Sequence, residues 1–137
     1  QAAIGIAQME RIEILLKKRK NIFKNYDKIL KNEKRLTLLP KNNWSENSYW
    51  LYTFIINGIK KTGRNKLLNN MQNKGIECRP GFYSLNLMKP FKKFGKGNYP
   101  ISNELSDTTL SLPTTSVNKE DQRFIIDTLI SELKNIF

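Results

Sequence analysis

Tyr49-Trp50-Leu51-Tyr52-Thr53-Phe54-Ile55-Ile56 is the stretch on which the fold turns. Its aromatic and β-branched content, with no polar alternation, predicts a buried strand at the centre of a sheet. Pro40 and the polar run Lys41 to Ser48 separate it from what precedes. Beyond it, Asn57-Gly58 would suit a hairpin turn. Thr62 as an N-cap, Leu67, Leu68 and Met71 at helical spacing, and Gly75 at the end predict a helix instead. Ile76 to Arg79, terminated by Pro80, predicts a second short strand and completes a strand-helix-strand unit.

Further out, Leu110-Ser111-Leu112-Pro113 predicts a third short strand. Asn118, with Asp121 three residues later, opens a final helix carrying Phe124, Ile125, Thr128, Leu129, Leu133 and Ile136. Gly81 to Pro100 reads as a long loop, and loops of that length in a compact domain are usually functional or held by a partner. On the N-terminal side, Met9, Ile12, Leu15, Leu16, Phe23, Tyr26, Ile29 and Leu30 recur at spacings of three and four. They predict one amphipathic helix from Ala3 to about Asn32, about 45 Å long. Gln1-Ala2-Ala3 offers it no cap and the chain has no initiator Met, so the helix is expected to continue backward into a further domain. The expected class is α+β in a single domain: a linking helix over residues 1–33, then an α/β sandwich over 46–137 with a short three-stranded sheet packed by helices.

A chain of 137 residues, 39% apolar and 10% aromatic, is long and apolar enough to bury a core, which excludes a wholly disordered protein. Its apolar runs end far short of the roughly 20 residues that span a bilayer. Gln1 to Gln8 has no secretory pattern, so a cytoplasmic location is expected. The single cysteine, Cys78, has neither a disulfide partner nor a histidine with which to share zinc, and is expected to be a buried or half-buried thiol. The net charge is +12, with clusters at Lys17-Lys18-Arg19-Lys20, Lys60-Lys61 and Lys92-Lys93. Their dispersal along the chain favours solvated faces over a binding patch. A basic nucleic-acid-binding module is the alternative, recognisable by an affinity that falls linearly in log salt.

The absence of histidine removes the commonest general base, and the 12 carboxylates form no clear pair for acid and base work. No lysine stands out as a Schiff-base former, and Gly95-Lys96-Gly97 lacks the spacing of a phosphate loop and reads as a turn. Trp44, Tyr49, Trp50, Tyr52 and Phe54 have the rings to stack bases or sugars, but aromatics in and beside a strand are expected to be core. Arg79-Pro80-Gly81-Phe82-Tyr83-Ser84-Leu85-Asn86 is different, since it gathers a cation, two aromatics and an amide. Such a set suits a polyhydroxylated, anionic ligand, because arginine takes phosphate or carboxylate bidentately and an amide both donates and accepts. The same arginine beside a proline turn would equally serve to cap the sheet end.

Four stretches resemble, in order, the C-terminal part of the DegT/StrS family of PLP-dependent sugar aminotransferases. Gln1-Ala-Ala-Ile-Gly-Ile-Ala-Gln-Met-Glu10 resembles the family's QAAIGxAQLE, and Gly75-Ile-Glu-Cys-Arg-Pro-Gly-Phe-Tyr83 is similar to GIETRPFFYPLH. Tyr49-Trp50-Leu51-Tyr52 and Leu110-Ser111-Leu112-Pro113-Thr114 are the weaker two. Arg-Pro followed by Phe-Tyr is most similar to the perosamine-synthase-like members, which aminate C4 of a nucleotide-linked 4-keto-6-deoxy sugar. The resemblance implies a fold-type I enzyme, pyridoxal phosphate on a lysine of a large domain, an amino-acid donor, typically glutamate, and a homodimer. It implies no membrane and no nucleic acid as partners. Neither that lysine nor the phosphate-binding residues match within Gln1–Phe137, so the piece alone is expected to bind no cofactor and to be non-catalytic. Carried over by motif, Arg79, Phe82, Tyr83 and Asn86 are the implied substrate-binding residues. Asn86 stands where many members have histidine, and Ser84 where they have proline.

Overall fold

A computed structural model describes residues 1–137 and places the opening stretch at the middle of a sheet. The central strand β2 is Tyr52–Ile56, flanked by β1 (Leu36–Thr37) and β4 (Thr109–Leu112), with β3 (Arg79–Pro80) at the far edge. All pairings are antiparallel in the order β1-β2-β4-β3. The sheet therefore has four strands where the sequence predicts three. The addition, β1, is two residues long, too short for periodicity to announce it. The second predicted strand is also displaced: Arg79 faces Ser111 and Pro80 faces Leu110, so Pro80 lies inside the pairing. An edge strand tolerates proline because its outward side needs no N–H.

Helix α3 (Lys61–Asn73) connects β2 to β3, with β4 inserted between those strands. Its N-cap is Lys60, so Thr62 falls within the first turn and not at the cap. Gly75 closes the helix as expected, with φ of +78°, a conformation that glycine adopts freely. The final helix α5 (Lys119–Ile136) opens on the predicted cap. Asp121 N donates to Asn118 Oδ1 at 2.8 Å, and Asn118 N donates to Asp121 Oδ2 at 2.9 Å.

The single long N-terminal helix is not observed. It divides into α1 (Ala2–Met9) and α2 (Ile12–Leu30), with Arg11 leaving helical geometry at φ −112°, ψ 4°. Only α2 is anchored: Phe23, Tyr26 and Leu30 are buried, whereas α1 buries nothing. Apolar spacing runs across the break without a proline or glycine to mark it. No helix is long and apolar enough to cross a membrane.

Alternation along β2 separates the two faces of the sheet. Tyr52, Phe54 and Ile56, with Leu110 and Leu112, join one core with α2, with Leu67 and Met71 of α3, and with Ile126, Leu129 and Leu133 of α5. The buried tyrosine hydroxyls are satisfied, Tyr26 donating to the Pro113 carbonyl and Tyr52 to Asp27 Oδ1, both at 2.9 Å. Burial holds both phenols well above their ordinary pKa. Cys78 is buried as expected, and burial pushes its thiol up to about 12.

Beside β1, the Glu33 carboxylate accepts from Arg35 Nε at 2.8 Å, Nη2 at 2.7 Å and the backbone N at 3.1 Å. The Arg35 side chain is the main cause that lowers the Glu33 pKa from 4.5 to about 2. A depressed carboxylate stabilises the fold above its unfolded pKa, and that stabilisation is lost as pH falls through the folded value. Thermal melts of Glu33→Gln and the parent are therefore expected to differ at pH 7 and to converge as pH falls from 4.5 towards 2. A constant gap across that window would contradict this.

Candidate functional site

The face of the sheet turned away from the core carries Thr53, Thr109 and Ser111, with Thr53 Oγ1 and Ser111 Oγ hydrogen-bonded at 2.8 Å. They floor an open cleft of about 840 Å³. Its roof is the segment from Gly81 to Tyr99 and the helix α4 (Pro100–Thr108) that follows. The sequence pattern does not show α4, because its nine residues carry only Ile101 and Leu105 as large apolar side chains, both exposed, while its buried residues are Ser106 and Thr108. The expected loop also contains a 3₁₀ turn at Leu85–Leu87.

Arg79, Phe82, Tyr83 and Asn86 all line this cleft. Phe82 is 75% exposed and Tyr83 60%, which is unusual for rings with a core close by. Arg79 Nη2 donates to Glu77 Oε1 at 2.7 Å, in a pair whose two side chains are both largely exposed. Such an exposed pair contributes little to stability. Ser84 is buried; its hydroxyl donates to Asn86 Oδ1 and lies 2.8 Å from Ser102 Oγ of α4. The two departures from the family motif are thus one linked feature. Serine takes up the carbonyl end of the asparagine and ties the loop to α4.

Two glycines permit this geometry. Gly81 N donates to the Thr109 carbonyl at 3.1 Å, and a Cβ there would stand 1.7 Å from Thr109 Oγ1. A Cβ on Gly95 would stand 2.8 Å from Asn86 Cβ, so Gly95 serves close packing against a cleft residue.

The aromatic group does not all enter the core. Tyr52 and Phe54 are buried, whereas Trp44 is exposed and Trp50, 60% exposed, lines the cleft with its ring centroid 6.1 Å from that of Phe82. Trp50 lies just outside β2, where strand alternation no longer governs the side chain. Phe91, Phe94, Tyr99 and Ser102 also line the cleft without having been singled out from sequence. The basic clusters are partly structural: Arg19 donates to the Trp50 carbonyl at 3.1 Å, Lys20 pairs with Glu46 at 2.8 Å, and Lys61 pairs with Asp107 at 3.1 Å.

A covalent anchor for pyridoxal phosphate requires a desolvated or electrostatically tuned lysine. No lysine lines the cleft, and all are exposed except the half-buried Lys20, whose pKa its hydrogen bond to Glu46 raises. The residues present do not fit the anchor of that cofactor. Nor does any group of three or more His, Cys, Asp or Glu come together to hold a metal.

The antiparallel sheet thus has one face sealed by helices and the other opened into an aromatic, arginine-edged cleft. The chain belongs to the DegT/DnrJ/EryC1/StrS aminotransferase family, whose profile matches residues 1–130. It is similar to a GDP-perosamine synthase of Vibrio cholerae, 29% identical over 142 residues that take in 99% of this chain and 36% of that protein. A dTDP-4-amino-4,6-dideoxy-D-glucose transaminase of Escherichia coli is 29% identical over 124 residues, covering 87% of this chain and 33% of the relative. Among solved structures, Spr1654 of Streptococcus pneumoniae in its PMP form matches with a TM-score of 0.93 at 26% identity, covering 99% of this chain and 35% of its own. Helicobacter pylori PseC shares the fold at a TM-score of 0.89 and 20% identity, over 98% of this chain and 37% of its own. The chain therefore spans 36% or less of the length of these curated relatives.

Proposed function

We propose that this chain forms the substrate-holding part of an enzyme that aminates a nucleotide-linked keto-sugar, with pyridoxal phosphate and an amino-acid donor. The supporting observation is the convergence of Arg79, Phe82, Tyr83 and Asn86 on one cleft opposite the core. Arg79 exchanges Glu77 for an anionic group of the substrate, Phe82 and Tyr83 present flat faces, and the Tyr83 hydroxyl and Asn86 amide meet sugar hydroxyls. The cofactor and its lysine belong to the remainder of the enzyme, and these residues bind and orient the sugar. The homodimer and the cytoplasmic location fit the same reading. Ile4, Ile6 and Met9 of α1 are exposed apolar side chains for which a covering surface in the intact assembly is the natural complement.

In the full-length enzyme, Arg79→Ala and Tyr83→Ala are expected to lower turnover of the sugar by about 10- to 100-fold, the loss of one charge-assisted or well-placed hydrogen bond. Bound-cofactor absorbance should stay unchanged. Loss of that absorbance would place both residues at the cofactor instead.

A further inference from the structure

Trp50 reaches the cleft through strained backbone. Tyr49, immediately before it, has φ of 55°, a left-handed conformation that a bulky residue keeps only where its surroundings enforce it. The enforcement comes from several directions. Tyr49 N donates to Asn47 Oδ1 at 2.6 Å, and its ring sits edge-on to Phe23 with centroids 5.2 Å apart. Arg19 Nη1 donates to the Tyr49 carbonyl at 3.3 Å and the Trp50 carbonyl at 3.1 Å, while Arg19 Nη2 donates to Thr115 Oγ1 at 3.3 Å. Thr114 Oγ1 also donates to the Trp50 carbonyl, at 2.9 Å. Groups from α2, from the segment before β2 and from the turn after β4 converge on two residues, and the product is an exposed indole.

We propose that Trp50 contacts ligand directly, as a wall of the cleft that stacks a flat ring of the substrate, and that Arg19 and Thr114 are positioning residues acting through its carbonyl. This inference rests on the nucleotide-sugar reading above. The centroid separation of 6.1 Å from Phe82, at a tilt of 36°, is too small for a ring to enter between the two. Intercalation needs about 7 Å, two van der Waals spacings. Trp50 and Phe82 therefore form one aromatic platform across which the ring lies, with Arg79 lining the same cleft for the anionic link. A nucleobase and the apolar face of a pyranose both offer that flat surface, and separate titrations tell them apart.

Gln1–Phe137 contains two tryptophans, so in a protein of these residues Trp44→Phe leaves Trp50 as the only indole. In that background, quenching of fluorescence by guanosine diphosphate identifies the base as the stacked ring, and quenching by a methyl pyranoside identifies the sugar. Trp50→Ala is expected to weaken binding of the quenching ligand about 5- to 100-fold with unchanged far-ultraviolet circular dichroism, and Trp50→Phe to retain most of the affinity. Arg19→Met should weaken binding several-fold and alter acrylamide quenching of Trp50, with partial rescue by Arg19→Lys. A Trp50→Ala protein that binds as the parent does overturns the assignment of Trp50 and leaves the nucleotide-sugar reading standing. A parent protein that binds neither nucleotide, glycoside nor nucleotide sugar overturns that reading and the Trp50 assignment with it.

Discussion

Gly81→Ala is expected to destabilise the chain by about 1–3 kcal/mol, the usual cost of an inserted methyl in a packed site, and to weaken ligand binding in the cleft at the same time. Gly81 is buried directly after β3 and bonded through its N–H to the Thr109 carbonyl. The added Cβ would lie 1.7 Å from Thr109 Oγ1 and 2.8 Å from Thr109 Cβ. Rotating the Thr109 hydroxyl away gives up its 2.5 Å bond to the Leu105 carbonyl and relieves only the first contact. The second involves an atom fixed to the backbone of β4, so β3 and β4 must part. Phe82 and Tyr83 follow immediately, and their placement moves with the strand. Adding Thr109→Ala should rescue Gly81→Ala in part, and adding Thr109→Gly more fully. Urea midpoints and ligand affinity measured together decide the matter: Gly81→Ala with the parent's values for both would show that the strands yield freely.

What could be read from the residues follows the range over which each signal acts. The capping box at Asn118 and Asp121 and the closing Gly75 are local chemistry, legible within a few residues, and both hold. The β2 core face is legible because Tyr52, Phe54 and Ile56 are buried and the residues between them, Thr53 and Ile55, are half-buried, so no exposed polar residue interrupts the run. Strand β1 gains its identity only by pairing Leu36 with Ile56, twenty residues away, which no local pattern encodes. Helix α4 escapes for a different reason: it is nine residues long and carries only one i, i+4 pair of large apolar side chains, Ile101 and Leu105, too little to mark a helix. The break at Arg11 lies in a stretch that buries too little for periodicity to bear on it.

The site shows the same division. Arg79, Phe82, Tyr83 and Asn86 sit within eight residues and could be picked out by composition and family motif together. Trp50 comes from about thirty residues upstream, and its exposure follows a positive φ at Tyr49 held by contacts with Arg19, Thr114, Asn47 and Phe23. Ser84 and Asn86 were each visible as departures from the motif. That the Ser84 hydroxyl donates to the Asn86 amide oxygen required their side-chain geometry.

Arg64→Met is expected to leave stability unchanged or raise it, whereas Arg64→Ala is expected to cost about 2–4 kcal/mol. Arg64, on α3, is 1% exposed, and its one hydrogen bond is from Nη2 to the Ser106 carbonyl at 3.2 Å. Its Nε and Nη1 have no partner, and burial lowers its pKa against the opposing pull of Tyr83 and Asp107. Asp107 Oδ1 lies 3.1 Å from Lys61 Nζ yet makes no hydrogen bond of acceptable geometry, so that contact counts as charge proximity only. Methionine fills most of the same volume, removes a poorly compensated buried cation, and gives up a single bond to a carbonyl at the end of α4. Alanine gives up that bond and leaves a cavity as well. Ser102 and Leu105 of α4 also wall the cleft, so a stable Arg64→Met protein with weakened ligand binding would show that the cation positions α4. If both variants lost stability equally, the Arg64 charge would itself be stabilising, through Asp107, despite the poor geometry.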